Sequence, residues 1–238
     1  MPCMKAIFLA DAHLRQPNDH NYRQLLDFLD QQQDLDGLFL LGDIFEFWLG
    51  YKHVAFTAYI PVLEKFQKLA VNGTKIYYVE GNHDFHVGPY FTETLGCTVI
   101  PDQQRVEWDG KQLLLCHGDL LNPNPNYQRL RSIWRCGLVR FLTKIVHPDP
   151  VWAFGIWLSN LSKNKHPKTH DWDPSPLLVP FAEKQFSTGA DVVFCGHFHQ
   201  PLDKAIDDKQ IIAVGDWIEQ FSYAEMIDGE VSLKNYRD

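Results

Sequence analysis

The chain has 238 residues, 45% of them hydrophobic and 22% charged, and 22 Lys and Arg against 30 Asp and Glu leave a formal charge of −8. These values exclude a disordered, collagenous or disulfide-stapled chain, and the negative balance argues against a protein that grips nucleic acid through its overall field. Five scattered cysteines (Cys3, Cys97, Cys116, Cys136, Cys195) without a CxxC pair point away from a disulfide framework or a cysteine zinc site and toward a reducing, cytosolic compartment.

Residues 5–10 form a short apolar run that Asp11 ends at once; it is too brief for the core of a signal peptide and reads as a buried strand. Leu25, Leu26, Phe28 and Leu29 then recur at helical spacing. A second buried strand, 38–41, leads into Gly42-Asp43, and a second helical pattern (Val62, Leu63, Phe66, Leu69) closes at Asn72-Gly73. Strand 75–79 precedes Gly81-Asn82-His83-Asp84, strand 113–116 precedes His117-Gly118-Asp119, and strand 192–195 precedes Gly196-His197-Phe198-His199. A last apolar run, 211–214, sits among short strands with turns at Asp207-Asp208 and Asp228-Gly229, a hairpin-like ending. The alternation of strand and helix predicts an α/β domain spanning 1–238. No run approaches the roughly 18 apolar residues of a membrane-spanning helix.

One segment departs from this rhythm. Residues 122–171 hold eight basic and two acidic residues, a balance of +6, so the remainder carries −14. Within it Tyr127, Leu130, Trp134, Leu138, Phe141 and Ile145 recur every three or four residues and predict one long amphipathic helix. A second helix is expected from 151 to 161, with Trp152, Phe154, Ile156, Trp157 and Leu158. Such a pair can be a core element with solvated arginines or an insertion that faces lipid.

The polar residues that follow the strands carry the chemistry, because ligands of α/β sheets gather at the carboxyl ends of strands. Asp11-x-His13 and His197-x-His199 have the i, i+2 spacing that points two side chains the same way on extended backbone. Carboxylates, imidazoles and one amide form a ligand set suited to Mn, Fe or Zn. The seven donors exceed what one ion needs, so two ions are expected. This order of D-x-H, GD, GNHD, H and GHxH blocks resembles the calcineurin-like metallophosphoesterases over roughly residues 5–200. The resemblance implies a four-layer αββα sandwich, with 122–171 as a helical cap. It also implies that Asp11, His13, Asp43 and His199 surround one metal ion and Asp43, Asn82, His117 and His197 the other, with Asp43 bridging. Two such cations activate water and neutralise phosphate oxygens. By the same resemblance His83 sits near the leaving-group oxygen, while Asp84 either orients His83 or holds a turn.

The run Gly42-Asp43-Ile44-Phe45-Glu46-Phe47-Trp48-Leu49-Gly50 is similar to the GDxFExWxG signature of the UDP-2,3-diacylglucosamine pyrophosphatases of lipid A biosynthesis. Gly81 to Phe85, His117-Gly118-Asp119 followed by Tyr127, and Gly215-Asp216-Trp217 extend the similarity. It implies cleavage of UDP-2,3-diacylglucosamine to UMP and 2,3-diacylglucosamine 1-phosphate by an enzyme with two divalent ions, Mn²⁺ first among them. Phe141, Trp152 and Trp157 would receive acyl chains, and Tyr127, Arg131, Lys163 and Lys165 would meet the polar part of the substrate. An acylated UDP-sugar and the inner face of the inner membrane are the expected partners, with no nucleic acid; between a monomer and a homo-oligomer the sequence does not choose. His83 stands where the best-known branch carries Arg. A general phosphoesterase acting on small esters or nucleotides is the alternative reading, and a non-catalytic scaffold of the same fold a remote one.

Overall fold

The computed structural model describes residues 4–32, 34–142, 145–163 and 173–237. In chain order the elements are β1 (Lys5–Leu9), α1 (His20–Asp30), β2 (Gly37–Leu40), α2 (Ile60–Val71), β3 (Lys75–Val79), β4 (Thr98–Ile100), β5 (Gln103–Trp108) and β6 (Lys111–Cys116). There follow α3 (Pro125–Trp134), α4 (Gly137–Leu142), α5 (Pro148–Lys163), α6 (Ser175–Phe186), β7 (Val192–Cys195), β8 (Pro201–Ile206), β9 (Lys209–Val214), β10 (Ser222–Ile227) and β11 (Glu230–Asn235).

The strands build two sheets, ordered β11-β10-β1-β2-β3-β4 and β5-β6-β7-β9-β8. Pairing is parallel from β1 through β4 and across β6, β7 and β9, and antiparallel toward the other edges. The central strands are buried on both faces, which explains their near-continuous apolar sequences. Between the sheets Phe8 stacks on Phe194, with ring centroids 3.8 Å apart, and on Phe39 at 4.4 Å. On the outer face of the first sheet, Tyr22, Leu25 and Phe28 of α1 and Val62, Leu63 and Phe66 of α2 cover Ile7, Leu9, Leu38 and Leu40. On the outer face of the second, Leu178, Ala182 and Phe186 of α6 cover Leu114, Val193 and Ile211. These layers are helix, sheet, sheet, helix, the expected αββα sandwich. Helix α6 is absent from the sequence reading because Pro180 lies inside it; its buried residues still recur every four positions.

The expected long helix from Tyr127 to Ile145 is corrected. It is broken at Arg135–Cys136 into α3 and α4, and its apolar side chains do not form a core, since Leu130, Leu138 and Phe141 are 52%, 66% and 59% exposed. Helix α5 covers the span expected for the second helix and docks by its N-terminal half. Trp152 lies 4.7 Å from Phe56 and 5.3 Å from Tyr59 between ring centroids, and Gly155 rests on the Phe47 ring, where a Cβ would collide.

Candidate metal centre

The parallel sheets end in loops that lock onto one another through backbone hydrogen bonds. Asp11 N donates to Gly42 O (3.1 Å), His13 N to Asp43 O (2.9 Å) and Gly196 N to His117 O (2.9 Å). The contact between the loops after β2 and β3 requires small residues. A Cβ on Gly42, at φ +89°, would stand 2.6 Å from His117 Nδ1, and one on Gly81 would meet the Asp43 carboxylate. Asp11, His13, Asp43, His197 and His199 also hold positive φ, between 44° and 69°. For non-glycine residues this is uncommon backbone, and such residues cluster at functional sites.

His117 Nδ1 donates to Leu41 O (2.8 Å), which turns Nε2 toward Asn82 Oδ1 at 3.2 Å and Asp43 Oδ2 at 3.5 Å. His199 Nε2 lies 3.5 Å from Asp11 Oδ1, and His13 Nε2 lies 3.7 Å from Asp43 Oδ2. The His197 ring is 5.0 Å from that of His117, and its backbone N–H donates to Asp11 Oδ2 (2.7 Å). All seven sequence-predicted metal-facing residues are thus neighbours. Donor atoms of Asp11, His13 and His199 lie within 4.8 Å of one another, as do those of Asp11, Asp43 and His117.

The electrostatics fit cations. Asp11 Oδ1 is buried and has no hydrogen-bond partner among the described residues, and burial pushes the Asp11 carboxyl up to about 6. Burial also disfavours charge on Asp43, but His117, His83 and His13 outweigh it and hold this carboxyl well below the ordinary range. Burial, with His117 alongside, lowers His197 to about 3, so this imidazole stays neutral with a lone pair to give. His117 is raised to about 10, burial being outweighed by Asp43. A cluster of two carboxylates, four imidazoles and an amide, with Asp11, His13, Asp43 and His117 buried, Asn82, His197 and His199 half-buried, and one orphaned carboxylate oxygen, is a fit host for divalent ions.

His83 Nδ1 lies 2.9 Å from Glu46 O, and the ring meets that of His13 edge-on at 4.7 Å. With the carbonyl accepting from Nδ1–H, Nε2 is the free nitrogen. His83 N–H donates to Asp43 Oδ1 (2.8 Å), which ties the two loops. Asp84 is a turn clamp: Oδ1 accepts from Asp43 N and Gly81 N (2.9 Å each), and Oδ2 accepts from Ile44 N (2.7 Å) and Tyr78 OH (2.5 Å). Burial raises this carboxyl to about 7, with Asp43 adding to it.

Of the expected substrate contacts, Tyr127 reaches the centre. Its ring is 6.3 Å from His197, and its hydroxyl is buried without a hydrogen-bond partner among the described residues. Arg131 does not present a free charge, because its guanidinium is engaged by Asp119 and Asp102. Trp157 is 56% exposed on α5, with its ring 5.7 Å from Phe154. Lys165 and the side chain of Lys163 lie outside the described residues. Sequence reasoning missed Arg135, whose guanidinium donates to Gly81 O (2.7 Å) and Glu80 O (3.2 Å) and so braces the segment that carries Asn82. Glu46, quoted in the signature but given no role there, is fully buried against Arg15 at 3.0 Å and lies 3.8 Å from His13 Nδ1. A charged residue inside the apolar Ile44–Leu49 run was the available signal for Glu46.

The calcineurin-like phosphoesterase family matches residues 4–201. The chain belongs to that family. It is a metal-dependent hydrolase, and it is similar along its length to proteins named UDP-2,3-diacylglucosamine hydrolase. The protein of that name from Shewanella loihica is 30% identical over 236 residues, 96% of this chain and 95% of the relative. The one from Porphyromonas gingivalis is 29% identical over 245 residues, covering 92% and 93%. Among solved structures an archaeal phosphodiesterase shares the fold, with a TM-score of 0.53 at 17% identity over 98% of this chain and 99% of that one. The family accounts for the convergence of five loops at the strand ends. Among the described residues no helix is long and apolar enough to cross a membrane.

Proposed function

We propose that this hydrolase cleaves the pyrophosphate bond of UDP-2,3-diacylglucosamine to UMP and 2,3-diacylglucosamine 1-phosphate. The observation that carries the reading is the similarity to enzymes named for that substrate over nearly the whole of both chains, the helical segment included. Asp11, His13, Asp43 and His199 would hold one divalent ion and Asp43, Asn82, His117 and His197 the other, with Mn²⁺ the preferred metal. Bound there, two such ions supply Lewis-acid charge for the phosphate oxygens and lower the pKa of water.

The chain's own groups supply the rest. Asp43, held ionised by the imidazoles around it, is the shared negative charge of the centre. His83, fixed through Nδ1 by the Glu46 carbonyl, keeps Nε2 for the substrate and would act there as the acid for the departing phosphate oxygen. The Tyr127 ring lies 6.3 Å from that of His197, and its hydroxyl, without a partner among the described residues, would donate to a phosphate oxygen. The residues of 122–171 act as a cap on a single domain. Their exposed apolar side chains meet acyl chains and the membrane surface, and Lys163 and Lys165 meet the diphosphate. With Arg131 engaged by Asp119 and Asp102, its part in this reading is to hold α3 in place.

Incubation with UDP-2,3-diacylglucosamine and Mn²⁺, followed by UMP release, tests the proposal. Release of UMP is expected. Hydrolysis of a small chromogenic diester without UMP release would replace it with the reading as a general phosphoesterase.

A further inference from the structure

Strand β9 lies beside β7 in the second sheet, with Cys195 opposite Ala213, so the chain leaving β9 emerges next to His197 and His199. That exit is Gly215-Asp216-Trp217. Gly215 turns at φ +81°, where a Cβ would collide with the Ser222 hydroxyl. Asp216 then folds back, 5% exposed. Its Oδ1 accepts three backbone N–H groups, from Ile218 (2.9 Å), Glu219 (2.9 Å) and Gln220 (3.2 Å). Those donors lock the carboxylate plane and leave Oδ2 facing His199 Nδ1 at 3.6 Å. The same short loop grips the backbone of both Asp11 and His199: Trp217 N donates to Asp11 O (3.2 Å) and Gln220 Nε2 to His199 O (3.1 Å).

We infer that Asp216 is a positioning residue for His199: its fixed carboxylate keeps the proton on Nδ1, so that Nε2 is turned to Asp11 as the metal-binding nitrogen. The inference rests on the proposed role of His199 as a metal ligand. A ligating imidazole needs a partner for its other nitrogen, which sets its tautomer and ring orientation and raises its basicity. His117 finds that partner in the Leu41 carbonyl. For His199 the group at that nitrogen is a carboxylate held by three backbone donors, and it contributes negative charge as well as direction.

Asp216→Asn separates positioning from folding. An asparagine retains an oxygen for the three backbone donors, but its amide N–H₂ then faces Nδ1 as a donor. The imidazole is driven to the opposite tautomer, with its proton on the nitrogen that should bind metal. Mn²⁺ titration of the metal-stripped protein, read by equilibrium dialysis, should show one of two ions bound about 10- to 100-fold more weakly and the other unchanged. In a His199→Ala background the same change should have no further effect on Mn²⁺ affinity. Wild-type affinity for both ions in Asp216→Asn, or equal weakening of both, overturns the inference. If the variant does not fold, nitrogen NMR of the Zn²⁺-loaded wild-type protein decides. A protonated Nδ1 and a ligating Nε2 on His199 support the inference, and the reverse overturns it. Retention of both ions by His199→Ala would show that the ligand reading itself fails, and neither readout depends on which phosphoester is cleaved.

Discussion

The Gly81–Asp84 turn is tied to the Asp43 loop at two points, by the His83 amide and by the Asp84 carboxylate, and the tasks of these two residues differ. His83 contributes a ring whose Nδ1 is tied to Glu46 O, and its other nitrogen has no role in the proposed metal sets. His83→Ala should therefore leave two ions bound by metal analysis while turnover falls about 10²- to 10⁴-fold, the range for loss of a general acid. Loss of metal in that variant would place His83 among the ligands instead. Asp84 next to it is different in kind. Asp84→Ala strands the Asp43, Ile44 and Gly81 amides and the Tyr78 hydroxyl in a buried place. Each orphaned group costs about 1–3 kcal/mol, so a fall of at least about 3 kcal/mol in unfolding free energy is expected from denaturant titration. An unchanged midpoint would show that the turn is held elsewhere. The seven residues expected to face metal could be picked out in the sequence, and are neighbours in the structure, because each lies within four residues of the end of a buried strand. Asp84 was legible as one of two readings, and the structure bears out the one in which it holds a turn; Glu46 and Asp216 stood in quoted motifs without a role, because the groups they face, His13 and His199, come from other loops.

At the scale of elements, the readable parts were those whose burial is periodic or continuous. The central strands announced themselves by unbroken apolar runs, and the hairpins β8–β9 and β10–β11 by turns at Asp207-Asp208 and Asp228-Gly229, where Asp207, Asp228 and Gly229 have positive φ. Strand β5 escaped because it is an edge strand whose inward residues are only Val106 and Trp108. The break between α3 and α4 escaped because helical spacing continues across Cys136-Gly137 although the helix does not. Helix α5 is anchored by Trp152 and Gly155 against Phe47, Phe56 and Tyr59, the loop that also carries Asp43 and Glu46. A side chain at position 155 must push α5 off Phe47. Gly155→Val should therefore raise the Michaelis constant for the acylated sugar nucleotide while leaving hydrolysis of a small chromogenic diester largely intact, because the added side chain meets the Phe47 ring and the exposed end of α5 is free to yield, while Asp84 holds the Asp43 backbone. Equal losses on both substrates would mean that α5 supports the centre itself.

Over the whole molecule, the charge of −8 divides into a −14 body and a +6 segment, and the structure refines that division. Arg131 and Arg135 belong to the basic segment by sequence, but they pair with Asp102, Asp119 and Glu80 of the body. Their charges join the segment to the body and are not offered outward. On the described part of the segment the outward face is instead largely apolar, with Leu138 and Phe141 more than half exposed and the basic Arg129 also exposed on α3. A monomer seldom leaves so many large apolar side chains together in water. An apolar face with basic neighbours is the chemistry of an anionic lipid surface, which attracts each nearby cation with about 1 kcal/mol and admits the apolar side chains. The protein should therefore sediment with phosphatidylglycerol-containing vesicles, and sedimentation should weaken as salt screens the charged component. Leu138→Ser with Phe141→Ser should reduce vesicle binding at low salt. Because both side chains are already exposed, each change should alter unfolding free energy by no more than about 0.5 kcal/mol. Undiminished vesicle binding by the double variant would show that this face does not meet the membrane. A large loss of stability would show that both side chains are covered in solution.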